Sequence, residues 1–222
     1  IHSLVEKPFT STLSEADSLI KIARKIKLIL QVGHIERFNS AFEATRKIIR
    51  EPRFIECHRL SPFPNRSLDI GVVLDLMIHD IDIVLGLVNA GVKKVEAVGV
   101  PVLTKFEDIA NARITFKNGC VANLTASRVS DESMRKIRIF LNNAYISLDY
   151  RNEEAFIYRK SDAGIEKQTL PIEKEEPLKE ELNAFVECVI KNLPPIVCGE
   201  VAKEALAIAL AIQNLIWKKN VS

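Results

Sequence analysis

Gly71-Val72-Val73-Leu74-Asp75-Leu76-Met77-Ile78-His79-Asp80-Ile81-Asp82 is the run from which the rest of the chain can be placed. Its apolar residues recur with a helical period that continues through Ile83, Val84, Leu85, Leu87 and Val88, with Asp69 available as N-cap and Gly91 as C-cap. A helix apolar on nearly every side belongs inside a protein. Yet this one carries Asp75, His79, Asp80 and Asp82, and burying such groups without partners costs roughly several kcal/mol. Asp75, His79 and Asp82 stand at i, i+4 and i+7 and share one face. An acid four residues before a histidine can fix the ring and tune its pKa, as a general acid/base needs. A structural Asp–His pair inside a core fits the same spacing.

On the N-terminal side, Ser61-Pro62-Phe63-Pro64-Asn65-Arg66 reads as a loop by its prolines. Before it, Phe54 to Leu60 is a strand, and Asn39 or Ser40 caps a helix running to about Arg50. Gly33-His34-Ile35-Glu36-Arg37-Phe38-Asn39 is a polar loop after a buried strand, Leu28 to Val32. Ser14 to Ile26 reads as an amphipathic helix capped by Ser14 or Thr12, with Leu19, Ile22, Ala23 and Ile26 inward. Leu4-Val5 ends a short strand closed by Glu6-Lys7-Pro8, and the proline holds Lys7 extended at a strand's carboxyl end. In open α/β sheets that is where ligands bind. Strand, helix and strand within about thirty residues suit the last βαβ unit of a parallel sheet.

On the C-terminal side strands dominate: Val95 to Val102, Ile109 to Phe116, Val121 to Ser127, Arg135 to Leu141, Ala144 to Leu148 and Ala155 to Tyr158. Asn118-Gly119 is the strongest hairpin signal and Asn142-Asn143 a second turn. Two helices, Leu178 to Lys191 and Val201 to Lys219, close the chain, and the charged stretch Glu173 to Glu181 reads as a solvated linker and helix start. The expected class is therefore α+β: a large, mainly antiparallel open-faced sheet with flanking helices, preceded by the last βαβ piece of a Rossmann-type domain. The division expected is 1–33 as a dinucleotide-domain remnant and 34–222 as a substrate-binding and oligomerisation domain. The chain opens on Ile1-His2-Ser3-Leu4, as though entered in mid-strand, and reads as a piece of a longer polypeptide.

Composition excludes little else. The 222 residues are 47% hydrophobic and 27% charged, with a formal net charge of +2. That balance gives no basic footprint for nucleic acid. Cys57, Cys120, Cys188 and Cys198 stand far apart with no C-x-x-C, so free thiols in a reducing cytoplasm are expected. The apolar run Leu206 to Trp217, interrupted by Gln213 and Asn214, falls short of the roughly 20 residues a membrane span requires. A metal site from His79, Asp80 and Asp82 is disfavoured, because on a helix Asp80 points about 100° from His79.

Glu6-Lys7-Pro8, then Val32-Gly33-His34-Ile35-Glu36-Arg37-Phe38-Asn39, then Asp75…His79-Asp80-x-Asp82, in this order and ahead of an antiparallel sheet, resemble the glucose–fructose oxidoreductase / inositol dehydrogenase / MocA-like oxidoreductases. The resemblance spans essentially the whole chain. It implies a two-domain NAD- or NADP-dependent dehydrogenase acting on a secondary hydroxyl of a sugar or cyclitol, oligomeric (a homodimer or homotetramer) through its sheet face. Arg59…Pro62-Phe63…Arg66…Asp69 beside the same motifs look nearest the branch that oxidises UDP-N-acetylglucosamine at C3.

By this likeness Lys7, Asp75 and His79 are catalytic. Glu6, Lys7, Pro8 and Arg37 face the dinucleotide, and His34, Arg59, Arg66 and Asp80 face the substrate. On chemical grounds His79 is the base, oriented by Asp75, while Lys7 polarises the alcohol oxygen, and arginine forks at Arg59 and Arg66 suit a diphosphate. One departure stands out: the chain contains no G-x-G-x-x-G, nor an acidic residue about twenty positions beyond one. A non-catalytic oligomerising module, or a sugar-binding partner of a separate dinucleotide-binding chain, remain alternatives.

Overall fold

The computed structural model describes residues 1–64, 68–162 and 164–219. β1 (Ser3–Glu6), α1 (Leu13–Lys25) and β2 (Leu30–Gly33) form a βαβ unit whose two strands pair in parallel, with Glu6 opposite Gly33. A single 3₁₀ turn at Ile35–Phe38 leads into α2 (Ser40–Arg46), capped by the Asn39 side chain at the amides of Ala41 and Phe42. Then come β3 (Phe54–Leu60), a π-helical turn at Val73–Met77 and α3 (Ile78–Val88).

Seven strands follow: β4 (Val92–Val100), β5 (Ile109–Phe116), β6 (Val121–Ser127), β7 (Met134–Phe140), β8 (Ala144–Asp149), β9 (Glu154–Ser161) and β10 (Gly164–Thr169). α4 (Pro177–Lys191) and α5 (Gly199–Lys219) end the chain. β3 to β10 make one sheet in the order β10-β9-β8-β7-β3-β6-β5-β4, in which only the β3–β6 pair is parallel.

Alternation in the sequence builds this sheet. Ile55 and Cys57 of β3, Ala112 and Ile114 of β5, Ala122 and Leu124 of β6, and Ile137 and Ile139 of β7 all face inward and are buried. The small residues on β5 and β6 let the helical layer of α3 and α5 come close, and Met77, Ile78 and Ile81 fill the seam. Each such fully buried side chain contributes about 1.5–3 kcal/mol. The opposite face stays open and carries an aromatic ladder, Phe54–Phe140–Tyr145–Tyr158, with successive ring centroids 5.6, 5.3 and 4.2 Å apart. Asn118-Gly119 makes its turn as expected: Gly119 takes φ 86°, and the Asn118 side chain accepts from the Cys120 amide.

The structure corrects several local readings. α1 starts from a capping box of Thr12 and Glu15 and buries Ala16 and Ile20, while Leu19, Ile22 and Ile26 are 40, 55 and 55% exposed. α2 stops at Arg46 rather than near Arg50. α3 ends on Asn89 in the left-handed region (φ 46°), three residues before β4, so Gly91 is no cap. Asp69 does not cap the helical run, whose N-cap position is Val72; the Val73 amide instead donates to Glu107 Oε1 at 3.4 Å. β10 was not expected, because Gly164–Thr169 is exposed throughout and lacks an apolar alternation. Arg66 lies outside the described residues.

Candidate active site

Two strand ends and one irregular helix bring the site together. Because β1 and β2 run parallel and in register, Lys7 and His34 leave the sheet side by side at its carboxyl edge. The run holding Asp75 and His79 faces them. Its first turn is π-helical, with the Ile78 amide reaching back to the Val73 carbonyl, so the acid and the histidine do not stack as in a regular α-helix.

The consequence is a change of partner for Asp75. Lys7 Nζ donates to Asp75 Oδ1 at 3.0 Å and to the Asp75 carbonyl at 2.5 Å, with both side chains less than one-fifth exposed. No hydrogen bond joins Asp75 to His79, whose buried Nδ1 has no partner among the described residues. The expectation that Asp75 orients the histidine ring is corrected: the wide turn gives the carboxylate to Lys7. Burial, reinforced by the positive charges of Arg59 and Lys7, holds His79 well below its ordinary pKa.

His34 stands edge-on to His79, ring centroids 6.2 Å apart at 83°. It is 1% exposed, and neither ring nitrogen has a hydrogen-bond partner among the described residues; the Asp82 carboxylate lies 4.0 Å from Nδ1. Burial lowers its pKa, against the pull of Asp82. Two neutral imidazoles with spare nitrogens thus sit beside a lysine fixed by a carboxylate.

Around this group runs a frame of ion pairs. Arg37 grips Asp82 with a fork, Nε to Oδ2 at 2.6 Å and Nη2 to Oδ1 at 2.9 Å, and adds the Asp82 carbonyl at 2.8 Å. Arg59 does the same to Asp80, at 3.0 and 2.8 Å, while its Nη1 donates to Glu36 Oε1 at 2.8 Å. Burial works against the Arg59 cation, but Asp80 and Glu36 outweigh it and keep its pKa well above the usual value. Arg59, expected beside a diphosphate, is 4% exposed and spends its fork on protein carboxylates; Asp80 is likewise turned to Arg59. Arg37, expected beside the dinucleotide, is committed to Asp82. Glu6 and Pro8 flank Lys7, and the Lys7–Pro8 peptide is cis. No group of three or more metal-ligating side chains occurs among the described residues.

Sequence reasoning missed a second buried network. Asp108 accepts from the amides of Val102, Leu103 and Thr104 and from Arg128 Nε at 2.7 Å, and Arg128 Nη1 reaches the Ile70 carbonyl ahead of the π turn. Those amides and Arg128 outweigh burial and hold Asp108 well below the usual carboxylate range. Gly71 lies so close to Glu107 that an added Cβ would fall on its carboxylate. A parity count would have found Arg59, which shares the inward face of β3 with Ile55 and Cys57. The same count along β6, through Ala122, Leu124 and Ala126, reaches Arg128 one residue beyond the strand's end.

Comparison with known proteins places this geometry. A family model described as the GFO/IDH/MocA C-terminal domain matches residues 31–147. A UDP-N-acetylglucosamine 3-dehydrogenase from Acidithiobacillus ferrooxidans is 39% identical over 220 residues, covering 96% of this chain and 70% of that protein. A crystal structure of that enzyme superposes with a TM-score of 0.94 at 38% identity, over 97% of this chain and 71% of the other. A myo-inositol 2-dehydrogenase from Thermotoga maritima is 26% identical over 239 residues, covering 98% of this chain and 71% of that protein.

Proposed function

The chain belongs to the GFO/IDH/MocA oxidoreductases, and we propose that it oxidises a secondary hydroxyl of a sugar, most specifically the C3 hydroxyl of a UDP-amino sugar. The observation that carries this reading is the meeting of Lys7 with Asp75 across 68 positions of sequence, beside two buried histidines with unpaired nitrogens. Unpartnered polar atoms in a buried cluster are costly unless a ligand completes them.

In this reading Lys7, fixed by Asp75, donates a hydrogen bond to the alcohol oxygen and stabilises the negative charge that develops there. His79, kept neutral by burial, accepts the hydroxyl proton. His34 donates to a second sugar oxygen. Arg37, Arg59, Asp80, Asp82 and Glu36 hold the frame. Glu6, Lys7 and Pro8 at the β1 end are the residues placed to meet the nicotinamide end of NAD or NADP, and the nicotinamide supplies hydride acceptance when bound. The glycine fingerprint that cradles a pyrophosphate is not among these 222 residues. We assign 1–33 to the end of a dinucleotide-binding unit and 34–222 to the substrate side. The open sheet face, with its aromatic ladder, is where we place contact with further copies of the chain. Among the described residues no helix is long and apolar enough to cross a membrane.

Calorimetry with UDP-N-acetylglucosamine, with and without NAD(H), tests substrate binding. Turnover followed by dinucleotide reduction tests the roles, in the longest natural polypeptide containing this chain. Lys7→Met and His79→Asn each lower turnover about a thousandfold and leave the far-UV spectrum unchanged. Near-native turnover in either variant would sink the assignment.

A further inference from the structure

Glu181 of α4 is 1% exposed, and its Oε1 has no hydrogen-bond partner among the described residues. Gln31 of β2, fully buried, shows the same deficit at its own Oε1. The Gln31 amide nitrogen donates to the Glu181 carbonyl at 3.5 Å, which orients the carboxamide and leaves its oxygen as the spare atom. With Glu181 ionised both spare atoms are acceptors, and neither can serve the other. A proton on Glu181, donated to Gln31 Oε1, would remove both deficits.

Glu6 is the third member. Leu4 pairs with Gln31 and Glu6 with Gly33, so Glu6 and Gln31 point to the same face of the β1–β2 pair. The Glu6 carboxylate lies over Gly33, where a Cβ would come within 3.1 Å of its Oε2. Burial first, and repulsion from Glu6 second, push Glu181 up to about 7. The other charges nearby are engaged or turned away. Glu36 and Arg37, in the 3₁₀ turn against which α4 packs, are bound to Arg59 and Asp82. His34 sits in the field of Glu6 but is held toward its neutral form by burial. On α4 itself Lys179 is exposed and Glu180 half-buried.

We propose that Glu181 is a positioning residue: as a neutral acid it donates to Gln31 Oε1, and on losing its proton it sets a second carboxylate against Glu6 and displaces Glu6 and the adjoining Lys7. The effect on Lys7 in catalysis rests on the dehydrogenase reading; the proton and its hydrogen bond do not.

The test is an NMR titration of the chain with ¹³C-labelled glutamate carboxyls, Glu181→Gln serving to assign the resonance. One carboxyl titrates near neutrality in the native chain and is missing from E181Q. Hydrogen exchange at the Glu6, Lys7, Gly33 and His34 amides, corrected for intrinsic rates, quickens severalfold as Glu181 ionises in the native chain but not in E181Q. Because the folded pKa is raised above the ordinary 4.5, ionisation opposes folding: the Glu181 contribution to stability declines from about pH 4.5 to about 7 and is level above, and the difference between the native chain and E181Q isolates that decline from the opposing slope of the buried histidines. A Glu181 resonance in the ordinary carboxylate range, or wild-type exchange behaviour in E181Q, overturns the proposal. Should E181Q fail to fold, the native titration, assigned by Glu181→Asp, still decides. None of these readouts uses a dinucleotide or a sugar, so they separate this proposal from the assignment of the reaction.

Discussion

The ion-pair frame and the histidine cluster lie within a few residues of each other on α3, yet they are finished to different degrees. In the frame, Arg59, Asp80, Glu36, Arg37 and Asp82 satisfy one another with forked hydrogen bonds. In the cluster, two nitrogens of His34 and one of His79 are unpaired among the described residues. The same helix supplies both, so the contrast comes from neighbours: β3 and the 3₁₀ turn carry arginines to the frame, while the β1 and β2 ends bring one lysine, already taken by Asp75. The difference teaches where to look for a ligand. A buried charge that is fully met is scaffolding, and a buried imidazole that is not met is waiting for something.

The contrast can be broken most forcefully at Arg59. Arg59→Met leaves Asp80 and Glu36 buried without their cation and should cost about 3–5 kcal/mol of stability, measured by denaturant unfolding. A loss well under 1 kcal/mol would mean that the frame is dispensable. The cluster should respond in the opposite sense. His34→Leu removes unmet polar atoms, so stability holds or rises while affinity for the sugar nucleotide falls about tenfold, one lost hydrogen bond's worth.

pH sharpens the same point. His34 and His79 have folded pKa values lowered from the ordinary 6.5, so the unfolded chain takes up their protons first. Stability they leave intact above that value is lost as pH falls below it. His34→Leu should flatten this acid limb of the unfolding profile, and an unchanged limb would place His34 outside the buried cluster. The smallest effect belongs to a site remote from both regions: Thr12→Ala, which removes half of the α1 capping box, costs about 1 kcal/mol without touching activity.

Much of this was legible in the sequence, and the exceptions have physical causes. β3, β5 and β6 begin and end where their alternation says, because one face of each is buried and a period of two leaves no other register. Lys7, Asp75 and His79 were expected together through the family resemblance that their motifs carry. The partner of Asp75 was not, since a spacing of four reads as one helical face only when the helix is regular. The inward face of α1 was misjudged because apolar residues occupy two of its sides and Ala16 marks the buried one only weakly. Glu181 escaped notice because it closes the charged run from Glu173; its neighbours Ala184, Phe185 and Cys188, at three, four and seven residues on, carry the phase that turns it inward.

The wide turn at Val73–Met77 also poses a problem of length. An i-to-i+5 loop holds one residue more than a regular turn, so the chain here is longer than the helix needs. Removing a single residue would heal the backbone and rotate everything before it by about 100° about the helix axis, carrying Asp75 away from Lys7 while leaving His79 and the ion-pair frame in place. This short segment is therefore a tally mark: the register between the acid and the histidine is kept by a residue whose contribution is that it is counted, and not by what its side chain touches.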